Sequence, residues 1–197
     1  MIPEEFIKYV FEERVEAIRK MLYGKIDSSL LIDFTRHNAA IITYGPAGLN
    51  GSIKGIGFIH KEDILRDTLE RMREELNSQY VPEKAGRFLL DEIYVREKID
   101  FSKMITLELA RKHTWKNLIK GMKEATILFF TPPSTSYEVR CDVEIHQYDD
   151  IWEYANSLHD IFHRPKKKRD WSKTPAYLFK IREIYDNSED KMGIRIY

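Results

Sequence analysis

The chain has 197 residues, of which 43% are hydrophobic and 12% aromatic; this is enough for one substantial core and argues against wholesale disorder. Its 32 basic and 32 acidic residues cancel, which argues against a surface dedicated to coating DNA or RNA and leaves only local basic patches to weigh. Cys141 is the single cysteine, so intramolecular disulfides are excluded, and no apolar run reaches the roughly 18 residues that a bilayer span needs. Glu4, Glu5, Glu12 and Glu13 lie among the first apolar residues, which is wrong for a signal peptide, so a soluble cytoplasmic protein is expected.

Over residues 1–24, Ile7, Phe11, Ile18 and Leu22, with Val10 and Val15 beside them, recur at three- and four-residue steps. With Pro3 at the start and Gly24 at the end, this spacing predicts an N-terminal helix. Ala39 to Tyr44 reads as a strand, Gly45 to Gly51 as a loop and Ile53 to His60 as a second strand. Gly55 and Gly57 leave one face of that second strand bare. The gap marks a bulge or a place where another backbone or a flat ligand comes close, or else a sharp corner of a barrel. Glu62 to Asn77 is an amphipathic helix with a seam of Leu65, Leu69, Met72 and Leu76. Val81 to Gly86 breaks the chain and Phe88 to Val95 is read as a return to strand, so residues 62–100 form a helical insertion within the sheet.

The alternating run Met104 to Leu109 is a strand, and the wholly apolar Ala125 to Phe130 is another. From Tyr137 to His146, Val139, Cys141, Val143 and Ile145 alternate with Arg140, Asp142, Glu144 and His146. That is period two, with one face buried and one wet. Asp150 to His163 is a third helix burying Ile151, Ala155, Leu158 and Phe162, and Tyr177 to Ile184 and Met192 to Tyr197 close the chain as strands. The expected architecture is one α+β domain over 1–197: an antiparallel β-barrel of about six to eight strands with three flanking helices.

The segment between the strands at 104–109 and 125–130 is the densest in chemistry. Arg111, Lys112, Thr114, Lys116 and Asn117 bring cations, a hydroxyl and an amide into a short helix-compatible stretch directly after a strand. Free backbone N–H groups and a helix dipole point the same way at such a place, so a phosphate-bearing ligand is expected there. From Met104 to Tyr185 the order of elements resembles the FMN-binding split barrel of the pyridoxamine 5'-phosphate oxidase and flavin reductase superfamily. The resemblance rests on the polar segment with Thr114, Lys116 and Asn117, the strand Val139-Arg-Cys-Asp-Val143-Glu-Ile and the strand Ala176 to Arg182. It implies a split β-barrel and a homodimer with FMN at the subunit interface. It further implies a flavin-dependent oxidoreductase whose FMN phosphate is held by Thr114, Lys116 and Asn117, with Arg111 and Lys112 as further contacts. The first half departs from that pattern: the Gly45 to Gly51 turn is long, the usual proline after it is absent, and a charged helix intervenes. A haem- or deazaflavin-binding or cofactor-free relative of the same fold is therefore the alternative. Catalytic residues and substrate are not readable.

Other constellations carry less. His159 and His163 stand one helical turn apart, like the histidines of a zinc-protease helix, but Asp160 is shorter than the usual glutamate and no third ligand is evident, so no metal is expected. The basic run Arg164 to Arg169, followed by Trp171, reads as a solvated loop or as a second anion contact with Trp171 stacked on a ring. Nucleic-acid binding through 164–171 ranks third. Cys141 falls in the inward register of its strand, as a buried inert thiol.

Overall fold

The structure, a computed structural model, describes residues 1–24 and 28–197. Among these, the strands are β1 (Asn38–Thr43), β2 (Asn50–Gly55), β3 (Gly57–His60), β4 (Ile99–Leu107), β5 (Glu124–Thr131), β6 (Thr135–His146), β7 (Ala176–Asp186) and β8 (Ile194–Arg195). They form one antiparallel sheet in the order β2-β1-β5-β6-β7-β4-β3, with β8 beside β7. The two ends of this order are consecutive in the chain, because β2 passes into β3 through Ile56. The sheet therefore curls on itself as a split barrel closed by one bent stretch. At the bend, the Ile56 N–H bonds the His37 carbonyl at 2.9 Å, and the Thr106 hydroxyl donates to the Gly55 carbonyl at 2.6 Å. A Cβ on Gly55 would lie 3.2 Å from His37 Cδ2. The chain bends between the two glycines, and the His37 side chain fills the space that a Gly55 side chain would need.

Inside the curl, Ile41, Phe58, Met104, Ile127, Phe129, Val139, Cys141 and Phe179 make the main core. The N-terminal helix plugs it. This helix is α1 (Glu4–Ile7) and α2 (Glu13–Leu22), joined by a π turn at Lys8–Glu12. Phe6 is fully buried and meets Phe58, Phe129 and Tyr137 edge-on at 6.5, 5.9 and 5.3 Å. Burying such a ring contributes about 1.5–3 kcal/mol, and the edge contacts add to that. The Tyr9 hydroxyl meets Thr131 Oγ1 at 2.8 Å, which satisfies that buried polar atom.

Helices α4 (Glu62–Asn77) and α7 (Asp150–His163) cover the outside of β3, β4 and β7 in a second cluster. Leu65, Leu69 and Met72 of α4 supply the expected seam. On α7 the buried apolar residues are Tyr154, Ala155 and Ile161, whereas Ile151, Leu158 and Phe162 are only partly covered. Asn156, Ser157 and Asp160 are buried as well, and Asn156 and Asp160 bond Arg169 and Trp171 of the loop that follows.

Two expectations are corrected here. Phe88 to Val95 is not strand: α5 (Pro82–Phe88) runs into a π turn at Leu89–Ile93, and Leu89 and Ile93, one helical turn apart, dock against the α4 seam. The flanking helices also exceed three, since α3 (Leu30–Thr35), α5 and α6 (His113–Lys120) form as well. At the C-terminus, β8 is confined to Ile194–Arg195.

Candidate anion site at the start of helix α6

Strand β4 delivers the chain to this site and Glu108 turns it. Glu108 is 2% exposed, and its Oε1 accepts the backbone N–H groups of Ala110 (2.8 Å) and Arg111 (2.7 Å). Its Oε2 accepts from the Tyr177 hydroxyl at 3.0 Å and pairs with Lys54 Nζ at 3.1 Å. Burial pushes the Glu108 carboxyl up, but the Lys54 charge and the two backbone N–H donors outweigh it and hold the group below its usual range. The first free donors of the turn are thus taken by an internal anion. This residue was not singled out from sequence; its only signal was a lone acid in an apolar strand.

Helix α6 begins just beyond. Its N-cap, Lys112, makes no side-chain cap, and among the described residues the backbone N–H groups of His113, Thr114 and Trp115 have no acceptor. These are the orphan donors at every helix start, and they attract anions.

The residues expected to hold the phosphate divide into two sets. Arg111, Lys112 and Lys116 surround the helix start and face outward, and none of them, nor Lys120, forms an ion pair among the described residues. Arg111 takes a left-handed backbone at φ 50°, donates through Nη2 to the Ser172 carbonyl at 2.9 Å and lies 5.2 Å from the Trp115 ring. Its Nε is buried with no partner. Thr114 and Asn117 instead face inward. Thr114 Oγ1 meets Asn50 Nδ2 at 2.8 Å and Ser52 Oγ at 3.0 Å. Asn117, fully buried, accepts the Ala47 N–H at 2.7 Å and donates to the Gly48 carbonyl (2.8 Å), the Thr43 carbonyl (3.3 Å) and Thr43 Oγ1 (3.2 Å). Asn117 therefore brackets the β1–β2 loop. The approach is so close that a Cβ on Gly45 would sit 3.0 Å from Asn117 Cα, and one on Gly121 would sit 3.3 Å from Gly45 Cα.

Trp171 stands at the start of a 3-10 turn, Trp171–Lys173, with its indole N–H on Asp160 Oδ2 at 2.8 Å and its ring edge-on to Trp152 at 5.9 Å. The turn's Ser172 carbonyl is what brings it to Arg111. Of the basic run, Arg164 is bound to Glu75 at 3.0 Å and Arg169 to Asp160 at 2.6 Å, while Lys166, Lys167 and Lys168 are exposed. His159 and His163 have ring centroids 4.6 Å apart, yet no group of three potential metal ligands occurs among the described residues. Cys141 is fully buried, and burial pushes its thiol up, as an inert thiol requires.

A cleft of about 730 Å³ opens elsewhere, between the starts of α4 and α7, and none of the residues above lines it. Its cations are compensated: Lys103 by Asp100 (3.0 Å), Lys180 by Glu144 (2.5 Å) and Arg66 by Asp150 (3.1 Å). A dianion gains little there, so the uncompensated charges at α6 outweigh the larger volume.

No protein-family model and no curated protein matches the chain. Solved structures share its arrangement of strands and helices. A crystal structure of HupZ from Group A Streptococcus aligns at 12% identity over 83% of this chain and 96% of that one, with a TM-score of 0.49. A putative pyridoxamine 5'-phosphate oxidase from Listeria innocua aligns at 8% identity over 80% and 93%, TM-score 0.46. PhzG from Burkholderia lata, crystallised with tetrahydrophenazine-1-carboxylic acid, aligns at 9% identity over 99% and 89%, TM-score 0.45. These are similarities of overall fold, and the chemistry of the site rests on this chain's own residues.

Proposed function

We propose that this chain is a flavin-dependent oxidoreductase that binds FMN as a homodimer, with the flavin phosphate at the start of α6. One observation carries the reading: among the described residues Arg111, Lys112 and Lys116 form no ion pair, and they stand around an uncapped helix start. A dianionic phosphate would take the free N–H groups of His113, Thr114 and Trp115 together with those cations. In this reading Thr114 and Asn117 shape the cradle from beneath, and Trp171 acts on it through its neighbour Ser172 rather than by stacking on the ring. The flavin supplies hydride transfer when bound, and the protein orients it and places positive charge nearby.

The dimer has support of its own. Ile53, Ala40 and Leu128 lie in register across the outer face of β2, β1 and β5, beside Ile42, and Leu49 and Phe130 are 76% and 62% exposed. An open apolar sheet face of this kind suits a second copy of the chain.

Lys112→Ala with Lys116→Ala should weaken FMN binding at least about tenfold, read as flavin fluorescence quenching, and leave riboflavin, which lacks the phosphate, unaffected. Equal affinity of the double variant and the unaltered chain for FMN would reject the site. The absorption spectrum of the purified protein separates the alternatives: flavin bands support the proposal, a Soret band points to haem, and a colourless protein indifferent to added FMN rejects it.

A further inference from the structure

We propose that Trp171 is a positioning residue for Arg111, acting through the Ser172 carbonyl so that the guanidinium is set for the anion before it arrives. The inference rests on the reading of the α6 start as a phosphate site. Three features set Arg111 apart. It holds a left-handed backbone that a non-glycine residue rarely adopts. Among the described residues its guanidinium has no carboxylate partner, and its Nε is buried without an acceptor. A buried charged donor left this way asks for a ligand.

What holds the guanidinium is the turn at Trp171–Lys173, and both ends of that turn are tied to α7. At the front, the Trp171 indole N–H reaches Asp160 Oδ2 at 2.8 Å, and Arg169 Nε and His159 Nδ1 hold Asp160 Oδ1 at 2.6 and 3.0 Å. At the back, the Thr174 hydroxyl donates to Asn156 Oδ1 at 2.6 Å, and the Thr174 carbonyl accepts from Asn156 Nδ2 at 3.1 Å and Trp152 Nε1 at 3.0 Å. Asn156 is fully buried and Asp160 is 6% exposed, so these anchors are rigid. The middle of the turn presents the Ser172 carbonyl to Arg111 Nη2 at 2.9 Å, with Gln147 Nε2 donating to the same oxygen at 3.4 Å. A free arginine side chain loses much rotamer freedom on binding an anion; one already held at Trp115 and Ser172 loses less.

Trp171→Phe keeps an aromatic ring beside Trp152 and removes the N–H to Asp160 together with part of the indole's bulk. It should weaken FMN roughly three- to tenfold while riboflavin binds as before. In the Arg111→Ala background the same change should add nothing further, because the residue it positions is gone. Equal losses for FMN and riboflavin, or full additivity of the two substitutions, overturns the positioning role. A measurement on the unaltered chain is independent of how the variant folds: the Arg111 Nε–H resonance should shift on titration with inorganic phosphate, and an unmoved resonance also overturns the proposal. If the unaltered chain binds FMN no better than riboflavin, the phosphate site itself falls, and this inference with it; a preference for FMN with an additive Trp171→Phe removes the relay alone.

Discussion

Asn117 fastens one segment to another with a single side chain. Its carbonyl oxygen and amide nitrogen together bind Ala47, Gly48 and Thr43, so the β1–β2 loop is fastened to α6 by one residue. Asn117→Ala leaves buried backbone groups of that loop without partners and should lower stability by about 2–3 kcal/mol, read as the urea midpoint. A drop under about 0.5 kcal/mol would mean that the loop finds other partners. Glu108 is the other residue of this kind, a buried acid that turns the chain by taking the N–H groups of Ala110 and Arg111. The cations around α6 were legible in the sequence because exposed Lys and Arg need no partner to be noticed. The inward aim of Thr114 and Asn117 was not, because their partners lie more than sixty residues away on another strand.

Among the elements, the junction of α2, α3 and α7 makes the clearest pH prediction. Arg14 is 8% exposed and lies 5.5, 5.8 and 5.2 Å from the rings of Phe34, Tyr94 and Phe162, with its Nε on the Tyr94 hydroxyl at 3.2 Å. His37 sits beside it, with Nδ1 on the Phe34 carbonyl at 2.8 Å. Burial first, then the Arg14 charge, push His37 down from 6.5 to about 3. His163 is also lowered, by burial and by the neighbouring His159 and Arg14. In the unfolded chain His37 takes its proton near 6.5, so its neutral burial stabilises the fold fully above that pH and progressively less as pH falls toward 3. The melting temperature should fall between about pH 7 and pH 5, and His37→Gln should flatten that fall. An unchanged slope in the variant would place the acid sensitivity elsewhere. The same scale explains the misread segment at Phe88 to Val95. Aromatic and β-branched residues favour strand locally, but Leu89 and Ile93 gain a seam on α4 only when they are helically spaced.

For the whole molecule, the decisive surface is the open outer face of β2, β1 and β5. Leu128 stands at its centre, in register with Ala40 and, through it, Ile53. Leu128→Lys puts a charge into that face and should convert a dimer to a monomer in light scattering, with flavin affinity falling alongside because the proposed pocket lies between subunits. A monomeric unaltered chain would reject the dimer, and a variant that remains dimeric would move the interface to another surface. The barrel, its closure through the glycine-flanked Ile56 and the single bent strand are properties of the assembled sheet. No window of sequence contains both ends of the order β2-β1-β5-β6-β7-β4-β3.

By itself the sequence determined the elements whose periodicity is strong. These are the alternating β6, the seam of α4, the N-terminal helix and the cation-rich stretch before α6, all of which local spacing is enough to specify. Only the tertiary structure decided which of those polar side chains stay at the surface and which brace the fold. It also decided that Glu108 would occupy the first backbone donors and that the loop after α7 would reach Arg111. Hydrogen bonds between distant segments fix these choices. A periodicity reports which face of an element is apolar; it says nothing about which element will come to meet its polar groups.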